Sequence, residues 1–186
     1  MSHHHRPSPV SGARRSASGV RAQPTRRKGT AVSSGRQTSA ERIYGRDLEV
    51  GRVYQLSEFV MTRAELIDFA LKWDPQGFHI DQQVADDGPY VGLIASGAHT
   101  FAVMQRLSVL DVYDHWAVIA GKGVSDVAFL RPVRPDDVLT GTLTVVEATS
   151  DDRNRTLVVV DSELTVAGRP VLRARVSSYV HATPAV

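Results

Sequence analysis

The chain has no cysteine among its 186 residues. That excludes disulfides, thiolate nucleophiles and cysteine metal sites at once. It also lacks any uninterrupted apolar run near the roughly 18–20 residues that a membrane span needs. The basic N-terminus is missing the apolar core of a secretory signal. A soluble, cytoplasmic protein without a membrane partner is the expectation. Acids and large apolar residues are both scarce in the first 40 residues, which hold seven Arg and one Lys against no Asp or Glu, a charge of +8. The other 146 residues hold 14 basic and 20 acidic groups, net −6, so the overall +2 hides a sharp asymmetry. With Ser, Gly, Pro, Ala and Arg in place of core-forming residues, 1–43 is expected to be a disordered tail. Counterion release would let it touch nucleic acid or anionic surfaces. A solvated leader with no specific nucleic-acid partner is the simpler expectation. Residues 44–186 suffice for one good core and read as a single domain.

From Tyr44 the pattern is globular. Val53 to Met61 alternates as a strand. Thr62 and Glu65 are spaced as a capping box, in which Thr62 accepts from a first-turn N–H and Glu65 reaches back. Leu66, Ile67, Phe69, Ala70, Leu71 and Trp73 then supply the apolar side of a short helix. Pro75 disfavours helical geometry at Asp74, so the helix stops there. Asp74 is thereby delivered at the negative end of a macrodipole, which predicts a raised pKa and suits a general base.

Gln82 to Gly92 are polar and turn-forming, and predict a loop. Ala98 to Leu110 is helical, with Phe101, Ala102, Val103, Met104, Leu107 and Leu110 around most of its circumference, the mark of a buried helix. The period then changes. His115–Leu130, Asp137–Thr149, Thr156–Val166 and Val171–His181 are four segments with strand-like alternation. In the last, Leu172, Ala174, Val176 and Val180 face one way and Arg173, Arg175, Ser177, Tyr179 and His181 the other. Ala167-Gly168-Arg169-Pro170 supplies a tight hairpin turn. One buried helix followed by long antiparallel strands is an α+β plan, a sheet wrapped around a helix.

The chemistry gathers between Asp74 and Gln105. A carboxylate and an imidazole stand five positions apart, Asp74 and His79, and Gly97 leads into the buried helix. The pair offers acid/base groups, and the helix start offers backbone N–H donors. Those are the two requirements for adding or removing water across an activated double bond. Asp81 reads as a turn or cap residue. His79 and Asp81 fall short of the three or more ligands of a metal site, so none is expected. His99 reads as a satisfied core or interface histidine. Ser96 lacks the Gly-x-Ser-x-Gly frame of a nucleophile elbow. Gly121-Lys-Gly-Val-Ser125 is too short for a phosphate-binding loop.

Phe69 to Asp81 resembles the hydratase motif of MaoC-like dehydratases, the (R)-specific enoyl-CoA hydratases. The family pattern is Gly-Asp-x-Asn-Pro-x-His-x-Asp, and Asp74, His79 and Asp81 fall on its acidic, histidine and second acidic positions. Ala95-Ser96-Gly97 matches the small residues that lead into the family's central helix. Phe129 to Leu139 is similar to its strand–Pro–turn–strand signature. Trp73, Gln76 and Gly77 depart from the pattern, and its Pro is displaced to Pro75. The resemblance spans roughly Tyr44 to His181. It implies a hot-dog fold, a homodimer or higher multiple, and an acyl substrate carried on CoA or a carrier protein, with no separate cofactor.

What it implies for mechanism is reversible syn hydration of a trans-2-enoyl thioester, a hydro-lyase activity of fatty acid metabolism. Asp74 and His79 hold the water, and the N–H of Gly97 receives the charge on the thioester oxygen. Arg131 and Arg134 are candidates to meet CoA phosphates. A hot-dog thioesterase and a non-catalytic acyl-CoA-binding subunit are the alternatives.

Overall fold

The computed structural model describes residues 42–185. The expected disordered tail lies outside the described residues, apart from Arg42 and Ile43. Ile43 is tied in: its N–H donates to His115 O, and its carbonyl accepts from Ala117 N.

Strand β1 (Val53–Val60) leads into helix α1 (Arg63–Trp73). Thr62 caps that helix by accepting from the Glu65 N–H at 3.3 Å. Only half of the expected box forms, because the Glu65 carboxylate accepts from the Thr62 hydroxyl at 2.7 Å instead of from its backbone. Leu66 and Ala70 are buried. Leu71 and Trp73, expected on the apolar side, are exposed. The helix ends at Asp74, whose N–H still reaches Ala70 O, and Pro75 then takes the chain away.

A single turn α2 (Gly77–Ile80) follows, and the stretch from Gln82 to Gly92, predicted as a loop, opens with a helix, α3 (Gln82–Asp86). Asp81 caps α3 by accepting from Val84 N at 3.0 Å, and Ala85 anchors it by burial. One cap and one buried alanine outweigh the polar composition there.

The long helix α4 (Gly97–Asp111) starts one residue before the predicted boundary. It is not buried all round. Val103, Met104 and Leu107 enter the core, whereas Ala102, Val109 and Leu110 face outward. A sheet can cover only one side of a helix, and apolar periodicity alone does not say which residues remain outside. Its last residue, Asp111, accepts from both the N–H and hydroxyl of Ser57, at 2.7 and 2.8 Å. That bond sits where the pairing of β1 slips between Leu56 and Phe59, so the bulge is pinned to the helix end.

Four strands follow: β2 (Val118–Phe129), β3 (Val138–Ser150), β4 (Arg155–Val166) and β5 (Arg169–His181). His115, expected to open β2, lies in a short 3-10 turn. All pairings are antiparallel and the order is β1-β3-β4-β5-β2. The inward residues of β3, β4 and β5, among them Leu139, Leu143, Leu164 and Leu172, pack with Met61, Leu66 and Met104 into one core. This is the hot-dog arrangement expected from the sequence, a five-stranded antiparallel sheet laid against α4. Among the described residues no helix is long and apolar enough to cross a membrane.

The β4–β5 hairpin turns on Ala167 and Gly168, with φ of 47° and 73°. Two positive values match the two-residue turn that follows the sheet's twist. Alanine holds that geometry at a cost of about 1 kcal/mol. Ala167→Asn is therefore expected to stabilise the protein by about 0.5–1 kcal/mol, read as a higher melting temperature.

Candidate active site

Asp74 and His79 meet because α1 ends at one and the next turn presents the other. The His79 side chain is only 5% exposed, and its Nδ1 lies 2.8 Å from Ile94 O. A carbonyl only accepts, so Nδ1 carries a proton. That leaves Nε2 as the working nitrogen, and it faces Asp74 Oδ2 at 3.5 Å. The ring is further wedged by Phe78, edge-on at 4.4 Å between centroids.

Asp74 is held by two donors. Ser96 Oγ donates to Oδ2 at 2.6 Å and Gln76 Nε2 to Oδ1 at 2.8 Å. The Ser96 hydroxyl, the Gln76 amide and the nearby His79 together hold the Asp74 carboxyl below the usual aspartate range, against a smaller opposing effect of burial. This reverses the raised pKa predicted from the helix end. Two direct hydrogen bonds to the charged form outweigh a macrodipole that is diffuse and partly solvated. Asp74 is thus a carboxylate at any pH near neutrality.

Ser96 also accepts from Ala98 N at 3.2 Å, so one buried hydroxyl caps α4 and anchors the acid. Removing it has a definite sign. Ser96→Ala deletes the largest cause of the lowered pKa, so Asp74 is expected to titrate at higher pH in a carboxyl-resolved NMR titration. Stability follows the same sign. A depressed folded-state pKa gives stability above the unfolded value, lost as pH falls through the folded one. The variant loses that contribution, which is present at neutral pH and absent in acid, along with a cap worth about 1 kcal/mol.

Gly97 opens α4, and as its first residue its N–H has no partner within the helix. Its φ lies outside the left-handed region, so it is not required for backbone freedom. What it leaves open is space: a Cβ there would lie 2.9 Å from the Phe129 ring. Asp74, His79, Gly97 and Phe129 line one cavity of about 410 Å³, together with Gln76, Phe78, Tyr90 and Arg131.

Of the two arginines, Arg131 lines the cavity and Arg134 does not, and each is already engaged. Arg131 Nη1 donates to Pro170 O at 2.6 Å. Arg134 Nη2 donates to Tyr90 O at 2.6 Å, tethering the segment that carries Tyr90 to the cavity. Val91, next to it, has φ of 49°, a strained value for a β-branched residue. His99 is buried against α1, stacked on Phe69 at 4.4 Å, and burial pushes its pKa down. It is a core histidine, but its Nδ1 has no hydrogen-bond partner among the described residues, so the expected full satisfaction is not met. Among the described residues no three His, Asp or Glu side chains gather as metal ligands.

Sequence reasoning singled out Asp74, His79 and Gly97, and the structure brings them to one cavity. It missed Ser96 and Gln76 as donors to Asp74, the Ile94 carbonyl behind His79, and Phe129. Gln76 occupies the amide position of the motif and Ser96 the middle of Ala-Ser-Gly, so both carried a signal. Nothing local announces Ile94 O or Phe129.

The fold and this cavity define a hot-dog protein with a carboxylate and an imidazole lining the same cavity as a helix start. A family model described as MaoC like domain matches residues 47–167. The chain belongs to that family. It is 32% identical over 101 residues to the uncharacterized protein YdeM of Bacillus subtilis, a match covering 54% of this chain and 70% of that one. A solved structure described as a MaoC-like dehydratase from Rhodospirillum rubrum is 30% identical with a TM-score of 0.69, over 77% of this chain and 99% of that one. The R-hydratase PhaJ1 from Pseudomonas aeruginosa is 23% identical with a TM-score of 0.63, over 76% and 88% of the two chains. That last likeness speaks to the fold.

Proposed function

We propose that the protein is a hydro-lyase that adds water reversibly across the double bond of a trans-2-enoyl thioester. The observation that carries this is the pair itself: a carboxylate and an imidazole with a fixed tautomer, 3.5 Å apart, lining the same cavity as the first residue of α4. Membership of the MaoC-like family supports it, as does the dehydratase description of the Rhodospirillum rubrum protein.

The chemistry follows from the geometry. A water within hydrogen-bond reach of both Asp74 Oδ2 and His79 Nε2 is fixed by two partners. Its oxygen attacks C3 while Asp74 takes one of its protons. The π electrons shift toward the thioester and then form the C2–H bond with a proton from Nε2. His79 carries that proton at the start of the cycle, in addition to the one on Nδ1, opposite the Asp74 carboxylate. A proton passing from Asp74 to His79 resets the pair, so water is consumed and nothing else. Both new bonds form from the face that the pair occupies, which makes the addition syn. The charge that builds on the thioester oxygen is met by the Gly97 N–H and the positive end of α4. The CoA or carrier arm is part of the substrate, Arg131 and Arg134 are the candidates to meet its phosphates, and no further cofactor takes part.

The working unit is a homodimer or a multiple of one. Strand β2 pairs on one side only and exposes Val118, Ile119, Val124 and Val127. Such an edge is ordinarily paired or covered. Sedimentation at micromolar concentration is expected to give twice the chain mass or a multiple; a well-folded monomer rejects this assembly.

Incubation with crotonyl-CoA separates the reading from its rivals. Hydration removes the enoyl absorbance without free thiol. A thioesterase releases thiol, and a binding subunit does neither.

A further inference from the structure

The turn that follows α3 carries one residue of the cavity, Tyr90, with little packing beneath it. Pro89, Tyr90 and Val91 are all exposed. Two bonds shape the turn from within, Val91 N to Gly88 O at 3.2 Å and Gly92 N to Ala85 O at 2.9 Å. Among the described residues, the hydrogen bonds that tie residues 87–92 to anything beyond α3 both come from Arg134. Its Nη2 donates to Tyr90 O at 2.6 Å and its Nη1 to Val91 O at 3.4 Å. Gly92 makes room for that guanidinium: a Cβ there would lie 3.1 Å from Nη1, at a φ of 121° that suits glycine. Val91 is 74% exposed and holds φ of 49°, so its strain is not offset by burial. An exposed, strained turn keeps its shape when something outside it does the holding. The root of the clamp is firm. Arg134 N donates to Asp137 Oδ2 at 2.7 Å, and Arg134 O accepts from Asp137 N at 3.2 Å, in a closed turn at the entry to β3.

We propose that Arg134 is a positioning residue for the substrate, which clamps the Tyr90 and Val91 carbonyls and so holds the Tyr90 ring in the cavity wall. This rests on the hydration reading above. Tyr90 and Phe78 lie 5.9 Å apart between centroids, and Phe78 abuts His79 at 4.4 Å, so the aromatic wall ends on the imidazole. A thioester with its alkene at Asp74 and His79 therefore lies beside those rings. Arg134 does not line the cavity and acts through Tyr90. The acid/base pair does not depend on the clamp: Ser96 and Gln76 hold Asp74, and Ile94 O holds His79. Losing the clamp thus weakens binding and spares the chemical step, which raises KM and leaves kcat. Of the two arginines offered to the CoA phosphates, Arg134 is accordingly assigned to the wall.

The test uses full-length wild type, Arg134→Met, Tyr90→Ala and the double variant. Met keeps the aliphatic stem and removes every donor. Two substrates are compared, crotonyl-CoA and the crotonyl thioester of N-acetylcysteamine, which has no phosphate. Arg134→Met is expected to raise KM for crotonyl-CoA about tenfold, the scale of a lost pocket contact, with kcat within about twofold of wild type. Its loss in kcat/KM should be the same on the phosphate-free thioester. The double variant should lose no more than Tyr90→Ala alone, because both changes remove one wall. A loss confined to crotonyl-CoA makes Arg134 a phosphate contact and overturns the proposal. So does a loss that adds to that of Tyr90→Ala, or a fall in kcat at unchanged KM. Should Arg134→Met not fold, Arg134→Gln decides by the same comparisons. Wild-type protein that hydrates neither thioester removes the hydration reading and this inference with it. Normal wild-type turnover with an unchanged KM in the folded Arg134 variant removes only the inference.

Discussion

Replacing His79 by Ala, or Asp74 by Asn, is expected to lower hydration of crotonyl-CoA by at least about 10²-fold, the scale of a lost acid/base group. The two losses have different origins. Asn keeps the size of Asp74 and can still accept from Ser96 or Gln76, but it cannot take a proton from water. Ala at 79 removes Nε2 and also leaves the Ile94 carbonyl without its 2.8 Å donor. His79→Ala therefore has a stability component, because an orphaned buried acceptor costs about 1–3 kcal/mol. His79→Gln tests this: an amide that still donates to Ile94 O should recover stability without recovering turnover. Combining the Asp74 and His79 changes should cost little more than either alone, since a pair sharing one water fails as a unit. Near-normal turnover in a folded single variant would remove that residue from the mechanism.

Gly97→Val is expected to cut turnover by roughly 10²–10³-fold, the loss seen when one oxyanion donor is blocked. The backbone does not object, because φ at Gly97 is ordinary and the first helical position tolerates most residues. The new side chain meets the Phe129 ring, which is exposed and lies outside the core cluster, so its displacement disturbs no core packing. The denaturation midpoint should thus stay nearly unchanged. What suffers is the approach of the thioester to the N–H. Displacement of Phe129 is the competing cause, and a double-mutant cycle resolves it. With Phe129→Ala in place the valine has room, so a persisting loss belongs to the blocked N–H. Recovery in the double variant would assign the effect to the ring.

These expectations rest on parts of the molecule that were unequally legible. The Asp74–His79 spacing, the Thr62 cap, the Pro75 stop and the alternation of β3 to β5 are local patterns, and local patterns survive folding. The sign of the Asp74 pKa was not legible, because its decisive donor, Ser96, is 22 residues away. A helix-end argument sees only what is adjacent in sequence. The helix α3 was hidden by polar composition, although Asp81 stood at its cap position. The outward face of α4 was hidden for another reason: periodicity shows that a residue is apolar, and only the extent of the sheet decides whether it is covered. Arg134 was read as a candidate to meet CoA phosphates, yet its guanidinium reaches back 44 residues to Tyr90 O.

The most direct measurement is the hydration of crotonyl-CoA by wild-type protein in deuterium oxide, with the product resolved by NMR. A single water held by Asp74 and His79 on one face of the alkene gives one stereoisomer of 3-hydroxybutyryl-CoA. Its C2 deuterium lies on the same face as the new hydroxyl. Anti placement of the two, a racemic C3 centre, or release of free thiol in place of a hydroxyacyl product would each contradict the proposed site.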